Sequence, residues 1–354
     1  MHSIRGLVFM LCCLALVSIS IAGCGTAQPT ESMILKVAQN STAFSYFPSY
    51  VAQQQHFFKA QGLTLIPDPL PILGNGTRTT AAMAAGGIEV GVGTITDAFT
   101  LSRINAHLRI IGAFSDAFLI DLIVSKRFEQ QTHLTERSPL AQKVKALVGK
   151  KIGISAPGSA TDALITYLFR QQGLNDQRDV TKDNLGNVTP GSALAALATG
   201  RVDAVSFPTP AGQEAEAQAI GDLFISPVKG DVPSMQGMIY GVLYTTQQVI
   251  VTKPKAVQAL IRAFAQAEAW IAQHPAQAAA LLQKYLQIDR TTTTTVAQAA
   301  MSSVPQTPQV SQQGYTIANQ FHVKAGLIAL ALAYNDLVDT STINTALAQD
   351  KRSS

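Results

Sequence analysis

A helix of small residues closed by glycine and followed at once by an Ile- or Val-rich strand occurs twice in this chain. Residues 77–85 end at Gly86-Gly87 and lead into 88–93, and residues 192–199 end at Gly200 and lead into 202–207. Glycine tolerates the left-handed turn that ends a helix, and a short apolar run after it reads as a buried strand. Alternating strands and helices predict a largely parallel sheet with helices on its faces, so the recurrence predicts two similar α/β halves.

The rest of the chain extends this pattern. Residues 34–39 read as the first strand, and a helix with Pro48 in its first turn runs to about Ala60, where Gly62 stops it. Residues 63–67 and 151–155 are further strands, and a Pro157-Gly158-Ser159 turn precedes a helix over 162–172. Three apolar strands, at 109–114, 119–125 and 238–245, are suited to carry the chain from one lobe to the other and back. After them Val257, Leu260, Ile261, Phe264 and Ala267 recur at helical spacing behind Pro254. His274-Pro275 breaks that helix, a second follows from 276 to 285, and the threonine run 291–295 begins the next.

At the N-terminus, Arg5 precedes an apolar stretch over 6–22 that is short for a membrane span, so residues 1–23 read as a signal peptide. Ile21-Ala22-Gly23-Cys24 resembles a bacterial lipobox, which makes Cys24 the acylated first residue of the mature chain. Cys12 and Cys13 fall in the removed segment, and no disulfide is expected. Residues 24–32 lack apolar periodicity and read as a tether. The folded body is therefore expected outside the cytoplasm, lipid-anchored to the cell membrane.

Composition narrows the function. At 354 residues, 47% hydrophobic and 14% charged, the chain is globular and long enough for two cores. A net charge of +4 without a basic run argues against a nucleic-acid partner. The local excess of basic residues over 126–151 reads first as a solvated face and second as a docking surface. The histidines, at 2, 56, 107, 133, 274 and 322, have no metal-site spacing, and no GxSxG, Walker or complete dinucleotide motif occurs. No metal, cofactor or catalytic residue is expected.

Several elements, in order along almost the whole mature chain, resemble the substrate-binding proteins of the nitrate/sulfonate/taurine/pyrimidine class of ATP-driven importers. They are Phe57-Phe58-Lys59-Ala60-Gln61-Gly62-Leu63, residues 84–93, residues 147–155 with the Pro-Gly-Ser turn, residues 196–204, Ala269-Trp270-Ile271-Ala272-Gln273-His274-Pro275, and residues 336–341. The resemblance implies the type II periplasmic-binding-protein fold, with one lobe from 33–118 and 240–348, a second from 119–239, and a ligand cleft between them. It implies a monomer that captures a small solute and delivers it to permease subunits. A ligand-sensing lipoprotein, and an enzyme on the same fold, are the alternative readings. The loop Pro208-Thr209-Pro210 departs from the family, many of whose members carry an acidic residue and proline there.

In open α/β sheets ligands sit outside the carboxyl ends of the strands, where helix starts aim their amides. That rule selects four loops, 40–46, 94–97, 155–161 and 207–209, two from each half. Their candidate ligand contacts are Asn40, Phe44, Tyr46, Thr94, Thr96, Asp97, Ser155, Ser159, Thr161, Phe207 and Thr209. Each hydroxyl is equally suited to capping a helix, and Phe44 and Tyr46 to packing beneath the loop. The resemblance implies a small organic solute, sulfonate, amine or pyrimidine-like; with Asp97 and no Lys or Arg in these loops, a neutral or amine-bearing one is expected, and not an inorganic anion such as nitrate.

Overall fold

The computed structural model describes residues 31–186 and 189–350. The signal segment, Cys24 and all of the tether before Glu31 lie outside the described residues.

Among the described residues, ten strands form two five-stranded sheets. They are β1 (Ile34–Gln39), β2 (Thr64–Ile66), β3 (Val90–Thr94), β4 (Leu108–Ser115), β5 (Ile120–Ser125), β6 (Lys151–Ile154), β7 (Thr181–Asn184), β8 (Ala204–Pro208), β9 (Gly221–Ile225) and β10 (Gly241–Thr246). The orders are β2-β1-β3-β10-β4 and β7-β6-β8-β5-β9. In each, the first three strands run parallel and the fourth antiparallel to both its neighbours. The antiparallel fourth strand is in both cases the one that arrives from the other sheet. β5 follows β4 across residues 116–119, and β10 follows β9 across 226–240. The two halves thus share one topology, and the chain crosses twice between the resulting α/β lobes.

Strands buried on both faces explain the unbroken apolar runs of the sequence. Leu35, Val37, Val90, Val92 and Leu243 are buried in the first sheet, and Ile123, Ile152 and Val205 in the second. In β3 glycine alternates with valine because the Tyr244 ring of β10 lies against that face. A Cβ on Gly91 would sit 2.3 Å from the ring, and one on Gly93 would sit 2.7 Å from it.

The expected helix over 48–60 is divided. Phe47–Gln54 and Phe57–Ala60 are separate helices, with His56 at φ +58° between them. The break turns Phe58 toward the core, 6.1 Å from the Phe264 ring on the long C-terminal helix Pro254–Gln273. Helices Pro275–Leu286 and Arg290–Ala300 follow, and the threonine run lies in the latter behind the Asp289 cap. Helix Gln312–Lys324 packs against helix Ala160–Gln171, which belongs to the second lobe.

Candidate functional site

The carboxyl ends of the parallel strands face a cavity of about 210 Å³ lined from both lobes. The first lobe contributes Asn40, Ser45, Tyr46, Ile72, Asn75, Gly76, Thr94, Asp97 and Tyr240 among others; Ile120, Ser155, Ser159, Ala160, Thr161, Thr189, Pro190, Phe207 and Pro208 lie opposite. Eight of the eleven loop candidates are brought together here: Asn40, Tyr46, Thr94, Asp97, Ser155, Ser159, Thr161 and Phe207.

Phe44, Thr96 and Thr209 are not among the lining residues. Phe44 is fully buried, 6.2 Å from the Phe47 ring. Thr96 points into the helix layer, where its hydroxyl meets His322 Nε2 at 2.8 Å. Thr209 donates its hydroxyl to Asp121 Oδ2 at 3.1 Å, and Asp121 also accepts the Ser226 hydroxyl at 2.6 Å. A buried carboxylate without donors is costly, so Asp121 draws this threonine inward. These two side chains satisfy buried partners and Phe44 fills core volume.

Sequence reasoning did not select Ser45, Asn75, Gly76, Thr189 or Tyr240. Asn75 and Thr189 had a usable signal, since each is a side-chain N-cap directly before a small-residue helix. Tyr240 had none, because its position depends on how β10 enters the first sheet.

Among the described residues, five helices begin at this cavity. They are Phe47–Gln54, Gly76–Ala84, Ile95–Ser102, Ala160–Gln171 and Pro190–Ala198. The hydroxyls of Thr94, Ser159 and Thr189 and the amide oxygen of Asn75 each accept from a backbone amide as N-caps. Thr94 and Ser159 therefore line the cavity and cap their helices at once. Asp97 stands at the third position of its helix and Asp162 at that of Ala160–Gln171, where a carboxylate offsets the positive helix end. The Phe47–Gln54, Gly76–Ala84 and Pro190–Ala198 helices carry no acid of their own in their first turns, but the Asp97 carboxylate lies against Gly76 at the start of the second of these, so the positive ends left without a carboxylate in contact are those of Phe47–Gln54 and Pro190–Ala198.

Asp97 is 4% exposed. Its Oδ2 accepts from Asn40 Nδ2 at 2.7 Å, from the Thr94 amide at 2.7 Å and from the Thr94 hydroxyl at 2.8 Å. Its Oδ1 abuts Gly76, where a Cβ would come within 1.7 Å. Burial raises the carboxyl above its ordinary range, and these hydrogen bonds pull it back. Burial and the nearby Asp97 charge hold the phenols of Tyr46 and Tyr240 well above their ordinary value, so both remain protonated donors.

On the opposite wall, Ser155, Ser159 and Thr161 form a triangle of hydroxyls 2.8–3.1 Å apart. No Lys, Arg or His lines the cavity among the described residues. Nor do the described residues hold any group of three or more His, Cys, Asp or Glu able to bind a metal, or any helix long and apolar enough to cross a membrane. The site thus offers partial positive charge from helix starts, one buried carboxyl, many neutral donors, and apolar surface from Tyr46, Phe207 and Tyr240. That arrangement suits a small molecule with acceptor atoms and a flat or apolar body.

The fold is shared with solved structures of low sequence identity. A protein of Bordetella bronchiseptica RB50 superposes with a TM-score of 0.75 at 22% identity, over 91% of this chain and 99% of that one. The alkanesulfonate-binding protein SsuA of Xanthomonas axonopodis pv. citri, bound to MOPS, gives 0.66 at 17% identity, over 87% and 99%. The periplasmic nitrate-binding protein NrtA of Synechocystis PCC 6803 gives 0.65 at 13%, over 90% and 89%. No curated protein matches in sequence. The profile of the NMT1-like family matches residues 31–286, in agreement with the order of motifs along the chain; with the type II periplasmic-binding-protein architecture, this chain belongs to the NMT1-like family.

Proposed function

We propose that the chain is the extracytoplasmic substrate-binding component of an ATP-driven importer, a monomer that takes a small organic solute between its lobes and hands it to the permease. In this reading residues 33–118 and 240–348 form one lobe, 119–239 the other, and an acylated Cys24 holds the protein at the membrane. The observation that carries it is the cavity lined from both lobes, since a solute touching both walls favours the closed form by its differential affinity for it. Two proteins of the same fold are named for binding alkanesulfonate and nitrate, which supports a role in solute capture. The chemistry of this cavity points away from small anions. A nitrate or sulfate here meets no Lys, Arg or His side chain and lies near the buried Asp97 carboxyl. A neutral or amine-bearing organic solute meets donors, helix starts and aromatic surface instead. The same lining, without His, Lys or a Cys nucleophile, favours binding over catalysis.

The test is mass spectrometry of the small molecules released from the natively purified protein. One organic compound near one per chain is expected, and detergent partitioning should place wild type, but not Cys24→Ser, in the detergent phase. Release of an inorganic oxyanion alone contradicts the solute class, and recovery of both proteins in the aqueous phase contradicts the anchor.

A further inference from the structure

The two lobes present the same four-residue pattern at the cavity, hydroxyl, two intervening residues, then aspartate: Thr94 to Asp97 and Ser159 to Asp162. In the first lobe the pattern closes on itself as a capping box, with Asp97 accepting the amide of its own cap residue Thr94. In the second it does not. Asp162 Oδ2 instead accepts the amide of Gly158, one residue earlier, at 2.8 Å, while the Ser159 amide goes to the Ala156 carbonyl.

The difference lies behind the turn, on the edge strand β7. Lys182 directs its ammonium at three oxygens: Asp162 Oδ1 at 2.7 Å, Asp176 Oδ2 at 2.7 Å and Thr166 Oγ1 at 2.8 Å. An ammonium has three donors, so all are used, and each fixes its direction. The side chains of Lys182, Asp162 and Asp176 are 12%, 14% and 3% exposed, so water does not screen the arrangement freely. Asp162, held on one oxygen by Lys182, is left with the other facing Gly158, whose φ of +75° only glycine adopts without strain. The next residue is Ser159, a member of the hydroxyl triangle on the cavity wall.

We infer that Lys182 is a positioning residue for the solute site, acting through Asp162 and the Gly158 amide to set the hydroxyls of the second-lobe wall. The inference rests on the solute-binding reading of the cavity. Its physical core, the control of the 155–162 turn by a residue that does not line the cavity, is measurable without any solute.

The experiment is hydrogen-exchange mass spectrometry on the full chain. In Lys182→Met the peptide spanning 155–162 should exchange at least tenfold faster, while peptides covering β3 and β8 keep wild-type rates. Asp162→Ala, which leaves the Lys182–Asp176 pair intact, should reproduce the effect at the turn. Lys182→Arg, which keeps the charge but not the single point of attachment, should fall between. If Lys182→Met does not fold because the buried Asp176 keeps only Arg170, Gln177 and Thr166 as donors, the double variant Lys182→Met/Asp176→Asn removes that charge and is read in the same way. Wild-type exchange at 155–162, or an equal rise across the whole second lobe, overturns the inference, since either means that Lys182 only stabilises the lobe. Phe207→Ala, on the same wall but outside the relay, separates the two readings. Melting shifts with benzylamine, 2-aminopyrimidine or taurine that survive Phe207→Ala count against the cavity as the binding site and leave the exchange result standing.

Discussion

The backbone amide of Phe44 donates a 3.0 Å hydrogen bond to the carbonyl of Thr209, joining the first lobe to the second. Both residues stand in loops chosen as ligand contacts, and they contact each other instead. The Thr209 amide in turn donates to the Leu119 carbonyl, in the crossover between β4 and β5. Its hydroxyl reaches Asp121, which also holds Ser226 at the start of the return crossover. Asp121 thus ties together both crossovers and the loop that meets the first lobe.

Thr209→Val keeps the shape of the side chain and removes one of two hydroxyl donors from a fully buried carboxyl. Urea denaturation should show a loss of about 1–3 kcal/mol, the usual penalty for leaving a buried polar group short of a partner. Solute affinity should change little, because the side chain is not in the cavity lining. An unchanged midpoint is the result that argues against the Asp121 tie.

Gly76→Ala tests how tightly the cavity floor is built. The new methyl would lie 1.7 Å from Asp97 Oδ1, and Asp97 cannot swing aside without giving up its bonds to Asn40 and Thr94. Overpacking of this kind costs about 1–3 kcal/mol. Thermal melts should fall accordingly and solute binding should weaken with them; wild-type values for both indicate that Asp97 is free to move.

Asp97→Asn keeps volume and removes charge. For an amine solute the expected loss is about 1.5–3 kcal/mol in calorimetric titration, the range for hydrogen bonds to charged groups. Affinity for uncharged solutes should stay near wild type. A lower melting temperature with unchanged amine affinity would mean that the carboxyl serves only its capping box.

Acid should act through His322. Its Nδ1–H donates to the Ala318 carbonyl at 2.7 Å, so Nε2 accepts from the Thr96 hydroxyl and the ring is neutral. Burial lowers its pKa to about 4 against an ordinary 6.5. Between these values the unfolded chain binds the proton and the folded one does not, so stability falls as pH drops from 6.5 towards 4. The contribution is about 3 kcal/mol. Asp116 and Asp121, raised by burial to about 6, work in the opposite sense, because there the folded state holds the proton. The difference between wild type and His322→Gln at pH 7 and pH 4 isolates the histidine; parallel losses in the two proteins would refute it.

The fold was legible at the strands whose apolar runs span four or more residues, and β9 was not, since its apolar run is only Leu223-Phe224-Ile225. β1, β3, β4, β5, β8 and β10 all lie within or beside the apolar runs that predict them. β7 was not legible, because Thr181–Asn184 is an edge strand of polar residues whose pairing with β6 is set by its neighbour. At the site, strand ends and helix starts located the loops, since that rule depends on topology alone. Which side chain within a loop turns to the cavity depends on partners distant in sequence. Thr96 turns to His322, 226 residues away, and Thr209 to Asp121, 88 residues away, and no local pattern encodes either.

Isothermal titration of the full chain decides whether an organic solute is held between the lobes without a cationic side chain. The panel sets amines, pyrimidines, sulfonates and aromatic acids against nitrate, sulfate and bicarbonate. At least one neutral or amine-bearing organic compound should bind tightly, and the three inorganic anions weakly or undetectably. Tight binding of nitrate, sulfate or bicarbonate, undiminished or improved by Asp97→Asn, would contradict this expectation.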